Sequence, residues 1–301
     1  MTAQKGTSMI IDVHTHIPTH RDRVPAEDLL ADRLIGSDIS LTGSVEDYLA
    51  AMEPVDRAIV FGIAPRPDNP EPPIMDWRQG WPEGMNQNDI AAEVAGRAPD
   101  KLIPFMSLHP MQADVDDEYD RSVGDLGCRG IKLSLSYQNV DPLGEEAFRL
   151  FARLENDRLP VVFHQGASVS ADARLSYAHP LLIDQVALAF PRLKVVLAHM
   201  AHPWHADCIT VVRKHPNVWA DISAQPFRPW LFWNGMRLFH EFAVTDKILL
   251  GSDWPIRSPR ETIDGMRDLA KFASDHHLPP VPDAEIEAII NRDSLEILGL
   301  Q

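Results

Sequence analysis

Cysteine is almost missing from this chain. Only Cys128 and Cys208 occur in 301 residues, and they form no Cys-x-x-Cys pair. That excludes a disulfide framework and fits a reducing cytosol; both read as small buried residues rather than nucleophiles. Long apolar runs are missing too, so no segment is expected to cross a bilayer. The polar stretch 1–8 lacks the apolar core of a secretory signal. A cytoplasmic protein with no membrane partner is the expectation. Basic residues are few, 28 against 44 acidic ones, for a formal charge of −16. Such a balance argues against a nucleic-acid backbone or an anionic membrane as partner. No Gly-x-Gly-x-x-Gly follows any apolar run, which weakens a dinucleotide-binding reading. Internal repeats, low-complexity tracts and linkers are also lacking, so residues 1–301 read as one domain with a flexible start over 1–8.

What is present is an ordinary globular composition, 45% hydrophobic and 24% charged, organised in eight short apolar runs. These are Ile10–Ile17, Arg57–Ile63, Leu102–Leu108, Gly130–Leu135, Pro160–His164, Lys194–His199, Val218–Ile222 and Lys247–Ser252. Continuous Val, Ile and Leu are what a parallel sheet covered on both faces requires. Helical patterns lie between them. Ser44, Pro142, Pro203 and Ser258 mark helix starts, the last by Ser258-Pro-Arg-Glu261. Phe148, Leu150, Phe151 and Leu154 recur at helical spacing as a packing stripe. A last helix is expected over Asp283 to Leu298. Eight strand–helix units predict an α/β fold, a (β/α)8 TIM barrel, with an open doubly wound sheet as the competing architecture. One connection is unusual. Residues 62–88 hold six prolines together with Trp77 and Trp81, and a loop of this length on the strand-end face reads as a lid or pocket wall.

The chemistry concentrates at the ends of four runs. The first carries Ile11-Asp-Val-His-Thr-His16, and residues i and i+2 of a strand share a face. Both imidazoles therefore aim at one spot, as two ligands of one metal must. The fifth run ends at His164, the sixth at His199, and the eighth leads to Asp253. In a barrel all of these meet over one mouth, and four histidines with a carboxylate there read as a metal site at the C-terminal face of the strands. His202, His205 and His109 also fall near the mouth and can shape the pocket. His20, His179, His215, His240, His276 and His277 read as solvated.

These residues carry a resemblance. His-x-His on the first strand, His on the fifth and sixth, and Asp on the eighth resemble the amidohydrolase superfamily. Ile11-Asp-Val-His-Thr-His16, Phe163-His-Gln165, Ala198-His-Met200 and Gly251-Ser-Asp-Trp-Pro255 are similar to its amidohydrolase-related branch. That branch holds aminocarboxymuconate semialdehyde decarboxylase, hydroxybenzoate-type decarboxylases and hydrolases of lactones. The resemblance implies that His14, His16, His164 and Asp253 hold one divalent metal, with zinc preferred and manganese or iron as alternatives. It implies that Asp253 and His199 are catalytic, Asp253 by passing a proton and His199 by polarising a substrate oxygen or moving a proton. Lys132, in Gly130-Ile-Lys-Leu133, occupies the strand on which binuclear relatives carry a bridging carbamate. A second metal is expected only if Lys132 is carbamylated; otherwise it binds a carboxylate or is structural.

Substrate contacts are expected from Lys132, Gln165, Arg228, Trp230, Trp254 and Arg257, since arginine beside tryptophan suits a planar carboxylate. The partner implied is a small molecule, a carboxylate-bearing organic acid or lactone. The proline-rich loops also suit a contact between copies of the chain, so a homo-oligomer is an option. Two enzymatic readings use the same ligands. In the first, hydroxide generated on the metal hydrolyses a lactone, amide or activated carbonyl. In the second, a non-oxidative decarboxylase (a carboxy-lyase) releases carbon dioxide from an aromatic or unsaturated acid. Met200-Ala-His-Pro-Trp204 stands where the decarboxylases continue with a Gly-rich or Gly-Glu segment, and this favours hydrolysis. A non-catalytic protein with a structural metal is the third class, disfavoured because such sites prefer four closed ligands, often cysteines.

Overall fold

The computed structural model describes residues 9–19, 43–68, 78, 80–168 and 170–301. Pro70, Pro72, Pro73 and Trp77 of the expected lid, His20, and the stretch 1–8 lie outside the described residues.

Each of the eight apolar runs contains a strand. They are β1 (Ile11–His16), β2 (Arg57–Phe61), β3 (Leu102–Pro104), β4 (Ile131–Leu133), β5 (Val161–Phe163), β6 (Val195–Leu197), β7 (Val218–Asp221) and β8 (Ile248–Leu249). All pairings are parallel, in the orders β1-β2-β3 and β4-β5-β6-β7-β8. Two parallel bridges join these sheets, Met106 with Ile131 and Thr15 with Trp254. At the first, Met106 N–H donates to Gly130 O at 2.9 Å and Lys132 N–H to Met106 O at 2.8 Å. At the second, Val13 N–H donates to Leu250 O and His16 N–H to Trp254 O, both at 2.9 Å. The ring of strands therefore closes as the expected TIM barrel, and the open doubly wound alternative falls away.

Helices follow the strands: α1 (Val45–Ala51), α2 (Gln87–Gly96), α3 (Val115–Gly124), α4 (Leu135–Gln138), α5 (Glu145–Asp157), α6 (Pro180–Ala189), α7 (His205–Lys214), α8 (Pro229–Glu241), α9 (Pro259–Arg267), α10 (Leu269–Asp275), α11 (Asp283–Ile290) and α12 (Ser294–Leu298). Ser44 and Ser258 form full capping boxes with Asp47 and Glu261, satisfying amide donors that a helix start leaves open. On α5, Leu150, Phe151 and Leu154 are buried, and Phe151 meets Phe163 of β5 edge-on, ring centres 5.4 Å apart. The expected last helix is two helices. Asn291 ends α11, and the Asp293 carboxylate accepts from Glu296 N–H to start α12 afresh. Among the described residues, no helix is long and apolar enough to cross a membrane.

Alternate strand positions enter different clusters. On β2, Ile59 and Phe61 pack inside the ring with Ile11, Val13, Phe105, Val162 and Val196, whereas Ala58 and Val60 pack outward with Tyr48, Ile90 and Val94. On β1 that alternation is interrupted. Ile11 pairs with Arg57 and Asp12 with Ala58, yet Thr15 pairs with Val60 and His16 with Phe61, so β1 holds one extra residue. This bulge reverses the phase of the strand. Ile11 and Val13 face the interior below it, and His16 faces the interior beside Phe61 above it. Thr15 turns outward, its hydroxyl donating to Ile59 O at 2.7 Å and lying 2.8 Å from the Tyr48 hydroxyl.

Candidate metal centre

The bulge brings His14 and His16 to the inner face of the barrel mouth. Their rings are 5.4 Å apart and both pack against Phe61. Asp253 approaches from beyond β8, where its N–H donates to His14 O at 2.9 Å and its φ of +65° lies in the left-handed region. From there Asp253 Oδ1 sits 3.2 Å from both His14 Nε2 and His16 Nε2. The three residues are buried, and they offer ligand atoms all within 4.8 Å of one another. His199 follows β6 in a run of three left-handed residues, His199, Met200 and Ala201. Each costs an L-residue about 1–2 kcal/mol, strain of the kind held at functional sites. His199 Nδ1 stands 3.8 Å from Asp253 Oδ2.

His164 is adjacent but outside the tightest group. Its Nδ1 lies 3.2 Å from His199 Nε2, and its Nε2 lies 3.2 Å from Ala167 O. A carbonyl only accepts, so the His164 ring proton is on Nε2. The same argument puts the His199 proton on Nδ1, which lies 3.1 Å from Ser223 O. Two unprotonated ring nitrogens then face each other at 3.2 Å in a buried site. That is an arrangement a cation on His164, with a water it binds donating to His199, would relieve, and an imidazole-rich set with one carboxylate suits zinc and tolerates manganese. The residues fit a divalent ion.

Burial sets the protonation states. It pushes His199 down to about 3 and His16 down to about 4, against the pull of Asp253, and holds His164 well below its ordinary value. Burial also works to raise Asp253, but His14, His199 and the close approach of His14 and His16 outweigh it and hold this carboxyl well below the usual range. For His14, burial and Lys132 pull downward, and the two carboxylates Asp221 and Asp253 raise it overall. Lys132 is fully buried, its Nζ 3.0 Å from His14 Nε2 and 4.8 Å from the Phe61 ring centre. Burial lowers it to about 8 despite Asp253 and Asp221.

The other expected contacts divide. Gln165 is fully buried, and neither side-chain polar atom has a partner among the described residues. Arg228 and Arg257 both lie over the Phe227 ring, at 4.2 and 4.8 Å. Trp230 is 61% exposed and stacks on Trp233. Trp254 is corrected to a core residue: it packs edge-on against Tyr48, ring centres 5.0 Å apart, in the layer outside β1 and β2. The Trp254 backbone closes the barrel, and that turns the indole away from the mouth. His202 Nδ1 accepts from Gln225 Nε2 at 2.9 Å. His109 is tied by Gln138 O and Met111 N–H. His215 is not solvated; it is buried 2.7 Å from Asp184. Of the long loop, Trp81 donates to Pro18 O at 2.9 Å, and Arg66 pairs with Asp172 of the loop after β5 at 2.9 Å.

Sequence reasoning missed Asp221 and Ser223. Asp221 Oδ2 lies 2.9 Å from His14 Nδ1, and its Oδ1 accepts from the amides of His199 and Ser223. The signal was an acid near the end of the seventh apolar run, on the same rim as the candidate ligands.

A family model described as Amidohydrolase matches residues 11–300. No curated protein matches the chain. Among solved structures, an uncharacterized TIM-barrel protein from Bordetella bronchiseptica superposes with a TM-score of 0.68 at 20% identity, covering 97% of this chain and 98% of that one. A 5-carboxyvanillate decarboxylase from Novosphingobium aromaticivorans, complexed with manganese and a nitrobenzoic acid, gives 0.63 at 14%, covering 97% and 96%. A probable 2-pyrone-4,6-dicarboxylic acid hydrolase from Acinetobacter baumannii, with citric acid bound, gives 0.59 at 14%, covering 96% and 99%. At these identities the likeness is one of fold.

Proposed function

The chain belongs to the amidohydrolase family, and from that premise we propose that it is a metal-dependent hydrolase opening a lactone, amide or activated carbonyl of a small carboxylate-bearing acid. The observation that carries the reading is Asp253 Oδ1 at 3.2 Å from both His14 and His16 Nε2, with His199 and His164 beside it. His14, His16, His164 and Asp253 would hold a divalent ion, zinc by preference. When bound, such an ion polarises a carbonyl and lowers the pKa of a water towards 7.

The remaining work falls to the side chains. Asp253, held ionised, takes a proton from the attacking water and returns it to the leaving oxygen. His199, neutral and with its proton on Nδ1, offers the Nε2 lone pair as an acceptor that orients the water. Lys132 and the Arg228–Arg257 pair supply cations for a carboxylate. The described ends of the long loop, through Arg66 on Asp172 and Trp81 on Pro18 O, would help to exclude bulk water.

The fold neighbours include a hydrolase and a decarboxylase, and decarboxylation stays as the alternative reading. Elemental analysis of the pure protein, followed by lactones and hydroxybenzoic acids as substrates, separates the two. Ring opening without gas supports hydrolysis, whereas carbon dioxide release from the acids overturns it in favour of the carboxy-lyase.

A further inference from the structure

The end of β7 carries a device that none of the roles above uses. Asp221 and Ser223 are both completely buried, and they touch two histidines from different strands. Asp221 Oδ2 lies 2.9 Å from His14 Nδ1. Asp221 Oδ1 accepts from His199 N–H at 2.9 Å, from Ser223 N–H at 3.0 Å and from the Ser223 hydroxyl. The Ser223 oxygen lies 2.8 Å from His199 Nδ1 and 3.1 Å from His14 Nδ1.

Proton counting fixes this network. A carboxylate and a carbonyl only accept, and a hydroxyl has one hydrogen to give. Ser223 gives its hydrogen to Asp221 Oδ1, so its oxygen must accept from both imidazoles. His14 therefore carries a proton on Nδ1, shared between Asp221 Oδ2 and Ser223. His199 carries one on Nδ1, shared between the hydroxyl and carbonyl oxygens of Ser223. In the neutral rings both Nε2 lone pairs then point away from β7, His14 towards His16 and Asp253, His199 towards His164. A metal-binding histidine needs such a partner on its far nitrogen to choose the tautomer.

We propose that Asp221 and Ser223 are positioning residues that place the ring protons of His14 and His199 on Nδ1 and so aim both Nε2 lone pairs into the barrel mouth. The metal consequence of this rests on the reading under Proposed function; the proton placement does not. Substitution Asp221→Asn makes a sharp test. Three donors converge on Oδ1, so the amide oxygen must stay there. The amide NH2 then takes the place of Oδ2 and faces His14 Nδ1 as a donor. His14 relieves that clash by moving its proton to Nε2, into the mouth, where Lys132 Nζ at 3.0 Å, lowered by burial to about 8, can accept it once neutral.

The experiment is long-range 1H–15N correlation on the full chain labelled with 15N-histidine, followed upward from about pH 8 until the His14 signals stop moving, because Asp221 and Asp253 raise His14 above its ordinary value and the tautomer is read on the neutral ring. The His14 and His199 signals are assigned by their loss in His14→Asn and His199→Asn. In the unaltered chain both rings are expected to show the proton on Nδ1. In Asp221→Asn, His14 alone is expected to switch to Nε2–H, and zinc affinity by calorimetry to fall about 10–100-fold. Ser223→Ala keeps the carbonyl acceptor of His199 and should leave both protons in place, with a smaller loss of zinc affinity. A His14 that keeps its Nδ1 proton in Asp221→Asn overturns the proposal. So does an Nε2–H on either ring of the unaltered chain, a measurement that stands even if the variant does not fold. If His14 switches as expected but the unaltered chain binds no zinc, the proton placement is supported and the metal reading is what fails.

Discussion

His164 Nδ1 and His199 Nε2 oppose each other at 3.2 Å, while the proton of each ring is committed elsewhere, to Ala167 O and Ser223 O. Like-charged lone pairs this close disfavour the empty site, so an ion that binds should stabilise the fold. Chelator-treated protein is expected to melt at a higher temperature when zinc or manganese is added. A ligand at a hundred times its Kd contributes about 2.7 kcal/mol. Calorimetric scans with each metal check this, and a melting temperature indifferent to both would argue that the site holds no ion.

Asp253 and His199 should fail in different ways. Asp253→Asn removes the charge shared by His14 and His16 and is expected to lose both metal and turnover. His199→Asn is expected to keep its metal while turnover falls about 10²–10⁴-fold, the usual range for a proton-handling group. Elemental analysis beside steady-state kinetics reads both. Metal loss in His199→Asn would move that residue into the ligand set, and unchanged turnover would remove it from the chemistry.

Gly166 holds the loop that leaves His164. Its φ is +104°, and a Cβ there would lie 2.3 Å from His202 O, a backbone atom that already accepts from Ala167 N–H. Gly166→Ala is expected to cost about 1–3 kcal/mol through strain and overpacking. Urea titration should show a lowered midpoint; an unaltered one would mean that the loop after β6 yields freely.

Glu118 joins α2 to α3. Its carboxylate accepts from Asn86, Asn88 and Arg121. Burial works to raise its pKa, and these donors outweigh it, so the folded value lies below the ordinary one. A depressed carboxyl contributes stability above the unfolded pKa and loses it as pH falls through the folded value. Glu118→Gln is therefore expected to destabilise at neutral pH, by about 1–3 kcal/mol, and to converge on the unaltered protein in acid. Melting temperatures of the two from neutral pH to below about pH 4 test the sign; a gap that widens in acid would refute it.

Much was legible because it is local. A β-branched run makes a strand wherever it lies, and all eight were placed. A serine three residues before an acid caps a helix regardless of the rest, as Ser44 and Ser258 do. His14, His16, His199 and Asp253 could be grouped from the sequence because parallel strands of a barrel end on one rim, and they do lie together. The break at Asn291 was missed because the apolar pattern continues through it. The Trp254 indole was misread because its direction follows from how β1 and β8 join.

Composition and the period of the apolar runs were enough to place the eight strands and the rim that gathers the candidate ligands, since backbone hydrogen bonding and burial act on neighbouring residues; that the ring closes rather than opening into a doubly wound sheet was decided by the bridges at Met106 and Thr15. Which way His14 and His16 face was decided only in three dimensions. Their strand would have turned them outward but for the one-residue bulge against β2, and a bulge is a property of pairing between strands. The same holds for Asp221 and Ser223, which reach His14 across more than two hundred residues of chain; contacts of that kind exist only once the ring has closed.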